Sequence, residues 1–291
     1  LLAVIAGMYA VYHGPKNLKA IASEIHLKTT ALAKVLKDAG HTLQHENYFD
    51  TIRVVNTDAN KFFSAARAHD LTILKVDEGT LGISVDESTS WSQLAQLAAA
   101  FGAKAPTAQD GSDKLRNHRT TEYLQHPVFN TYHSETAMLR YLKKLADFDY
   151  ALDRGMIPLG SCTMKLNSVT EMEAVTWPEF ANLHPFAPAE DTQGYLELIG
   201  ELTSWLSDIT GYEAVSLQPN AGSQGELAGL LAIRGYHRSR GDLQRNLCLI
   251  PSSAHGTNAA SAVLAGMEVV VVACDEDGNV DVADLKAKIA E

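Results

Sequence analysis

The stretch Ser216–Glu226 combines glycines, hydroxyls and side-chain amides that could together bind an anion. It follows a short apolar run and precedes an amphipathic one, which predicts a strand, a tight turn and a helix N-terminus. At such a position unpaired backbone N–H groups point outward, and the helix dipole favours negative charge. Ser223 adds a hydroxyl donor, while Gly222 and Gly225 would let a phosphate approach the backbone. The predicted chemistry is phosphate binding.

The loop alone is compatible with roles other than phosphate binding. It lacks the Gly-Lys-Ser/Thr ending of a nucleoside-triphosphate loop, and its glycine spacing differs from that of a dinucleotide-binding fold. A purely structural alternative is a helix cap, in which Asn220 or Ser223 accepts a hydrogen bond from the first helical turn. From the loop alone, phosphate binding and capping are equally compatible with the sequence.

Two further segments carry groups that could do chemistry. Pro251–Asn258 follows an apolar run at 247–250 and precedes a helical pattern, so His255 should lie at the carboxyl end of a strand. Ligand sites in parallel sheets lie at that edge, although a capping or solvated histidine fits equally well. The third segment, Pro158–Asn167, places a thiol, two hydroxyls and an amine in a non-periodic stretch.

Composition narrows the class of protein. The chain has 291 residues, 46% of them hydrophobic, and a formal net charge of −11, which argues against a nucleic-acid-binding surface. Its widely spaced cysteines, Cys162, Cys248 and Cys274, indicate free thiols, and the histidines show no metal-ligand spacing. Asp275–Asp281 resembles a calcium loop only in composition and is predicted to be a turn. We expect the chain to contain no membrane segment and to be a piece of a longer polypeptide.

The elements that position these groups alternate regularly in the second part of the chain. Near-continuous apolar runs between amphipathic helices favour a parallel sheet covered on both faces. The predicted helices are Tyr195–Thr210, 224–238 and 257–265, and the predicted strands are 214–218, 247–250 and Met267–Cys274.

Residues 1–105 are predicted to form a smaller α/β domain. A Gly/Pro/Ser/Asp-rich linker at 106–120 follows it, and a second unit extends from 121 to 291. The predicted helices here are Asn17–Ala39, Asp58–Ala68, Ser90–Phe101 and, past the linker, Ser134–Leu145; the predicted strands are Phe49–Val55 and Leu71–Val76.

Six stretches together resemble the glycine cleavage system P-protein family. They are Tyr9–Pro15, Asp77–Ser84, His126–Thr136, Gly160–Asn167, Gln218–Glu226 and Ser253–Asn258. The resemblance covers essentially the whole chain. It implies a pyridoxal 5'-phosphate-dependent enzyme that decarboxylates glycine and passes the aminomethyl group to the lipoyl arm of the H-protein.

The resemblance also implies a fold. The family's long chain has two halves, each similar to a fold-type-I pyridoxal-phosphate enzyme with three layers and a mostly parallel sheet. Residues 1–105 would then end the first half, and residues 121–291 would begin the cofactor-binding half. A homodimer is expected for the full-length protein, in the bacterial cytoplasm or, in a eukaryote, the mitochondrial matrix.

Site residues carried over from the family divide into three groups. The phosphate would lie at Ala221, Gly222, Ser223 and Gln224, and the cofactor ring would stack on His255. Thr257 would supply a nearby hydroxyl. Cys162 and Lys165, with Ser161 and Thr163, would line the substrate side in roles that the sequence does not assign, and no metal is implied.

One part of the family pattern is missing. The lysine that forms the Schiff base with the cofactor lies further downstream in the family, in a His-Lys segment that this chain does not contain. Lys286 and Lys288 match no catalytic position, so the isolated chain is expected to be inactive. Alternatives are another fold-type-I decarboxylase or desulfurase, a non-catalytic binding fragment, and a Rossmann-type nucleotide binder.

Overall fold

The computed structural model describes residues 2–112, 115, 117–148 and 168–290. The chain divides into two compact units, Leu1–Asn182 and Leu183–Glu291. Both units combine helices with β-sheet, so the α/β class predicted from the sequence is confirmed. The domain boundaries predicted from composition, at 105 and 121, remain a prediction.

The first unit opens with a long kinked helix, α1 (Leu2–Asp38). The kink lies at Gly14, whose φ of 65° is left-handed, directly before Pro15. A side chain at Gly14 would collide with the ring of His133 and the carbonyl of Phe129. Glycine is therefore required twice here, for the backbone conformation and for the close contact.

A four-stranded antiparallel sheet packs against the second half of α1. Its strands are β1 (Thr42–Leu43), β2 (Thr51–Val55), β3 (Leu74–Asp77) and β4 (Thr80–Ser84), in the order β1-β2-β4-β3. The paired residues Ile52 and Ile83 are buried, as are Val54 and Leu81. Because side chains alternate along a strand, these residues form one apolar face, which shares a core with Leu32 of α1.

Side-chain caps start the next helices where the sequence predicts them. Asp58 accepts from the Lys61 amide at the start of α2 (Ala59–Arg67). Ser90 and Gln93 form a reciprocal capping box at the start of α3 (Trp91–Ala100).

Described residues of the predicted linker, and Tyr123 after it, contact α1. The Ser112 amide donates to Oγ1 of Thr30 (3.0 Å), and the Tyr123 hydroxyl donates to the Pro15 carbonyl (2.7 Å). The helix α4 (Glu135–Ala146) then begins with Ser134 as its cap, at the start of the predicted helix Ser134–Leu145. Two short helices complete the unit, α5 (Val169–Ala174) and α6 (Pro178–Ala181).

The second unit is built from four helices and a two-stranded parallel sheet among its described residues. In chain order these elements are α7 (Gln193–Thr210), α8 (Gly222–Ser239), β5 (Leu247–Pro251), α9 (Gly256–Leu264), β6 (Glu268–Val272) and α10 (Val282–Ala290). The register runs from Leu247 opposite Glu268 to Pro251 opposite Val272. The parallel direction predicted for these two strands is confirmed.

The predicted strand at 214–218 is wrong, because these residues join no sheet. A strand is held by hydrogen bonds to a neighbouring strand, and the described part of this unit offers it none. Strand β4 was also not recognised from the sequence. No helix in the described part of the chain is long and apolar enough to cross a membrane.

Candidate functional site

The predicted anion-binding loop leads directly into α8. Ala221 is extended and precedes the helix, and it provides no side-chain cap. The amides of Gln224 and Gly225 both donate to the Ala221 carbonyl (3.1 and 3.0 Å). The amides of Gly222 and Ser223 lie ahead of these first intrahelical bonds, so the helix supplies them with no acceptor.

The capping alternative is not realised in this loop. Neither Asn220 nor Ser223 occupies the cap position, which belongs to Ala221. Instead, Oε1 of Gln224 accepts from the Asn220 amide (3.0 Å) and closes the loop on itself. That bond uses the carbonyl oxygen of Gln224, while its NH₂ group is a donor of the kind a phosphate oxygen accepts.

The space in front of the helix suits a phosphate. A Cβ added at Gly222 would meet no atom within 4 Å, so the backbone there is open to a ligand. The exposed hydroxyl of Ser223 and the two leading amides are all donors, and they stand at the positive end of the helix dipole. This set of donors fits a phosphate dianion.

His255 occupies the cap position of α9. Its Nδ1 accepts a hydrogen bond from the Thr257 amide (3.1 Å). An amide N–H can only donate, so the neutral ring carries its proton on Nε2. The capping histidine considered from the sequence is therefore present. Because this bond lies in the plane of the imidazole, it leaves the faces of the ring unused.

The first turns of α8 and α9 are tied together. Nδ2 of Asn258 donates to Oε1 of Glu226 at 2.8 Å, and both side chains are half-buried. A cavity of about 260 Å³ lies beside this pair and is lined by Leu230 of α8 and Cys248 of β5. The structure thus brings the loop and the His255 segment onto neighbouring helix N-termini.

A second tie joins the same helices further towards their C-termini. Nη1 of Arg234 on α8 donates to the carbonyl of Ala265, just after α9. The next residue, Gly266, has a φ of 73°, and a Cβ there would run into the Arg234 guanidinium. Glycine at 266 therefore suits the left-handed backbone and leaves room for the Arg234 guanidinium beside the Ala265 carbonyl.

Cys274 follows β6 near the end of the same sheet. Its Sγ lies 3.3 Å from Oγ of Ser253, which follows β5. Hydrogen bonds from Ser252 and Ser253 lower the pKa of the Cys274 thiol, because hydroxyl donors stabilise the thiolate. Asp275 accepts from the amides of Asp277 and Asn279 and so forms the predicted turn.

A larger cavity in the first unit, of about 1540 Å³, is lined by residues of α1 together with others that include Leu115, Tyr123 and Asn130. None of the predicted site residues in the described part of the chain lines it. In the same unit, two of the stretches that carry the family resemblance are in contact, because Nδ1 of His133 donates to the Tyr12 carbonyl (2.7 Å).

Comparison with known proteins shows what the chain is similar to. Residues 1–101 match the family model described as "Glycine cleavage system P-protein". Three curated relatives, each named "Glycine dehydrogenase (decarboxylating)", match 99–100% of the chain. The similarity to proteins of this name therefore extends over essentially the whole chain.

The relatives come from bacteria and are all longer than this chain. Identity is 55% over 292 residues to the protein of Thermosynechococcus vestitus, 56% over 293 residues to that of Xanthomonas euvesicatoria, and 55% over 300 residues to that of Gluconobacter oxydans. The chain spans about a third of the length of these relatives, between 30% and 32%.

The structure also shows contacts of residues for which the sequence predicted no role. Glu226 and Asn258 end two of the motifs, but no role followed for them because their contact joins distant parts of the chain. Arg234 and Gly266 carried no local signal either. Cys162 and Lys165, with Ser161 and Thr163, lie outside the described residues, and their placement on the substrate side stays a prediction.

Proposed function

We propose that the N-termini of α8 and α9 form part of the pyridoxal 5'-phosphate site of a glycine decarboxylase. The observation that carries the proposal is the pair of uncapped amides at Gly222 and Ser223, open to a ligand and beside the His255 helix. Similarity to relatives named glycine dehydrogenase (decarboxylating) supports this choice of cofactor and substrate.

In this proposal the residues of the chain bind and orient the cofactor. The amides of Gly222 and Ser223, the Ser223 hydroxyl and the Gln224 NH₂ group donate to phosphate oxygens. His255 offers one ring face, held in place by the Thr257 amide. When bound, the cofactor supplies an electron sink for the electrons released as carbon dioxide leaves glycine.

The finer features of fold and assembly belong to the same proposal. They are a three-layer fold-type-I arrangement with a mostly parallel sheet, and a domain division at 1–105, 106–120 and 121–291. The proposal also includes glycine and the lipoylated H-protein as partners, a homodimer at full length, and a cytoplasmic location. The parallel pairing of β5 with β6 supports the fold.

Two other functions make different predictions. Another fold-type-I decarboxylase or desulfurase would bind pyridoxal phosphate but would act on a substrate other than glycine. A non-catalytic fragment would retain binding to the lipoylated H-protein without turnover.

The activity can be tested on the polypeptide expressed at the full length of its relatives. We expect labelled carbon dioxide to be released from carboxyl-labelled glycine when pyridoxal phosphate and lipoylated H-protein are both present. Omitting the cofactor is the control. Tight binding of pyridoxal phosphate with no release from glycine would refute glycine as the substrate.

A further inference from the structure

The hydrogen bond between Glu226 and Asn258 lies at the two helix N-termini that form the proposed site. Asn258 stands in the first turn of α9, three residues after the His255 cap, and Glu226 follows the proposed anion-binding amides on α8. Their 2.8 Å hydrogen bond therefore joins the two helix ends that would contact a ligand.

The second tie shows that these helices run side by side in the same direction. At 1.5 Å per residue, Glu226 and Arg234 are about 12 Å apart along α8, and Asn258 and Ala265 are about 10.5 Å apart along α9. Because these spans are similar, one tie joins the first turns of the two helices, and the other joins the second half of α8 to the C-terminal end of α9.

We propose that Glu226 and Asn258 are positioning residues, whose hydrogen bond sets the distance between the anion-binding amides of α8 and the imidazole of His255. This inference rests on the proposed function, because a ligand with both a phosphate and a ring must meet both helix ends at once. Such a ligand is sensitive to their separation, whereas an isolated phosphate contacts α8 alone.

The test compares two probes on the full-length polypeptide, pyridoxal phosphate and inorganic phosphate, by equilibrium titration. Asn258→Leu removes the donor and roughly preserves the volume. We expect it to weaken binding of pyridoxal phosphate about tenfold and of inorganic phosphate less than about twofold. Glu226→Gln keeps an acceptor oxygen for Asn258, so it should bind both probes within about twofold of the wild type.

Arg234→Gln is the matched control, since it breaks the tie between the same helices that lies away from the proposed site. We expect it to change both affinities by the same factor. Circular dichroism checks that each variant is folded, and Asn258→Ala serves as the test variant if Asn258→Leu does not fold.

Equal weakening of both probes by the Asn258 variant, or no weakening of either, would overturn the positioning role. The proposed function fails separately. If the wild-type polypeptide does not bind pyridoxal phosphate, the cofactor assignment falls and this inference falls with it. If the wild type binds and the Asn258 variant shows no difference between probes, only the positioning role is refuted.

Discussion

His255 illustrates how one side chain can satisfy a structural and a ligand-binding requirement together. Its Nδ1 caps α9 through the Thr257 amide, which fixes the orientation of the ring. The faces of the ring remain available to an aromatic cofactor because the bond lies in its plane. The sequence alone left capping and ligand binding as competing interpretations, and the geometry makes them compatible.

The structure gives the thiol of Cys274 a reactivity that the sequence does not predict. Because Ser252 and Ser253 lower the pKa of its thiol, alanine at both positions should raise that pKa towards the ordinary value. The rate of Cys274 alkylation by iodoacetamide, followed against pH by mass spectrometry of the modified peptide, should then rise at a higher pH than in the wild type. Alkylation of Cys248, measured in the same digest, is the control.

The direction of the expected change in alkylation rate follows because the thiolate is the reactive form of cysteine. Losing the hydroxyl donors destabilises the thiolate, so less of it is present at a given pH below the thiol pKa. An unchanged pH dependence of Cys274 alkylation in the doubly substituted variant would show that the serine hydroxyls do not stabilise the thiolate.

At the scale of elements, local sequence determined most helix starts. The predicted helices Asp58–Ala68, Ser90–Phe101 and Ser134–Leu145 each begin at the residue that caps the observed helix, because a short polar side chain satisfies the free amides of a first turn. Strands were predicted less well. The apolar run at 214–218 joins no sheet, since a strand depends on a partner that local sequence does not specify.

The kink in α1 yields a stability prediction. Gly14→Ala introduces a Cβ at a φ of 65° and against His133, so it should lower the free energy of unfolding by about 2–4 kcal/mol. Chemical denaturation followed by circular dichroism measures the change.

Gly7→Ala is the matched control in the same helix. A Cβ at Gly7 meets nothing within 4 Å, and alanine favours the helix, so stability should rise by about 0.5–1 kcal/mol. A Gly14→Ala variant as stable as the wild type would show that the kink does not require glycine.

At the scale of the whole molecule, the two units differ in the size of their cores. The first unit has an extended core shared by α1, α3 and the antiparallel sheet. In the described part of the second unit, the buried apolar side chains are Ile250, Ala262, Ala265 and Val272. Several large apolar residues of α7 are exposed, with Trp205 at 59% and Ile209 at 79%.

This asymmetry predicts different folding behaviour for the two units. Expressed separately, residues 1–182 should unfold cooperatively with denaturant, because burial of apolar surface drives folding. Residues 183–291 should show a broad, weakly cooperative transition, because so little of their apolar surface is buried. Fluorescence and circular dichroism monitor both transitions, and a sharp, coincident transition for residues 183–291 would contradict the prediction.

Only part of the proposed site could be predicted from the sequence. The loop and the His255 segment could be found because each is a continuous motif beside a helix start. The ties between Glu226 and Asn258 and between Arg234 and Ala265 could not, because each joins residues about thirty positions apart on different helices. A hydrogen bond of that kind depends on how the helices pack, which no local pattern encodes.

The affinity of the full-length polypeptide for pyridoxal phosphate relative to pyridoxal tests the anion-binding site most directly. The two compounds differ in the phosphate group alone, so their ratio of affinities isolates the contacts at α8. We expect the wild type to favour pyridoxal phosphate, and Ser223→Ala to reduce that preference about fivefold by removing one hydroxyl donor. Ser239→Ala, at the opposite end of α8, should leave the preference unchanged. Equal affinity of the wild type for both compounds would contradict a phosphate site at Gly222 and Ser223.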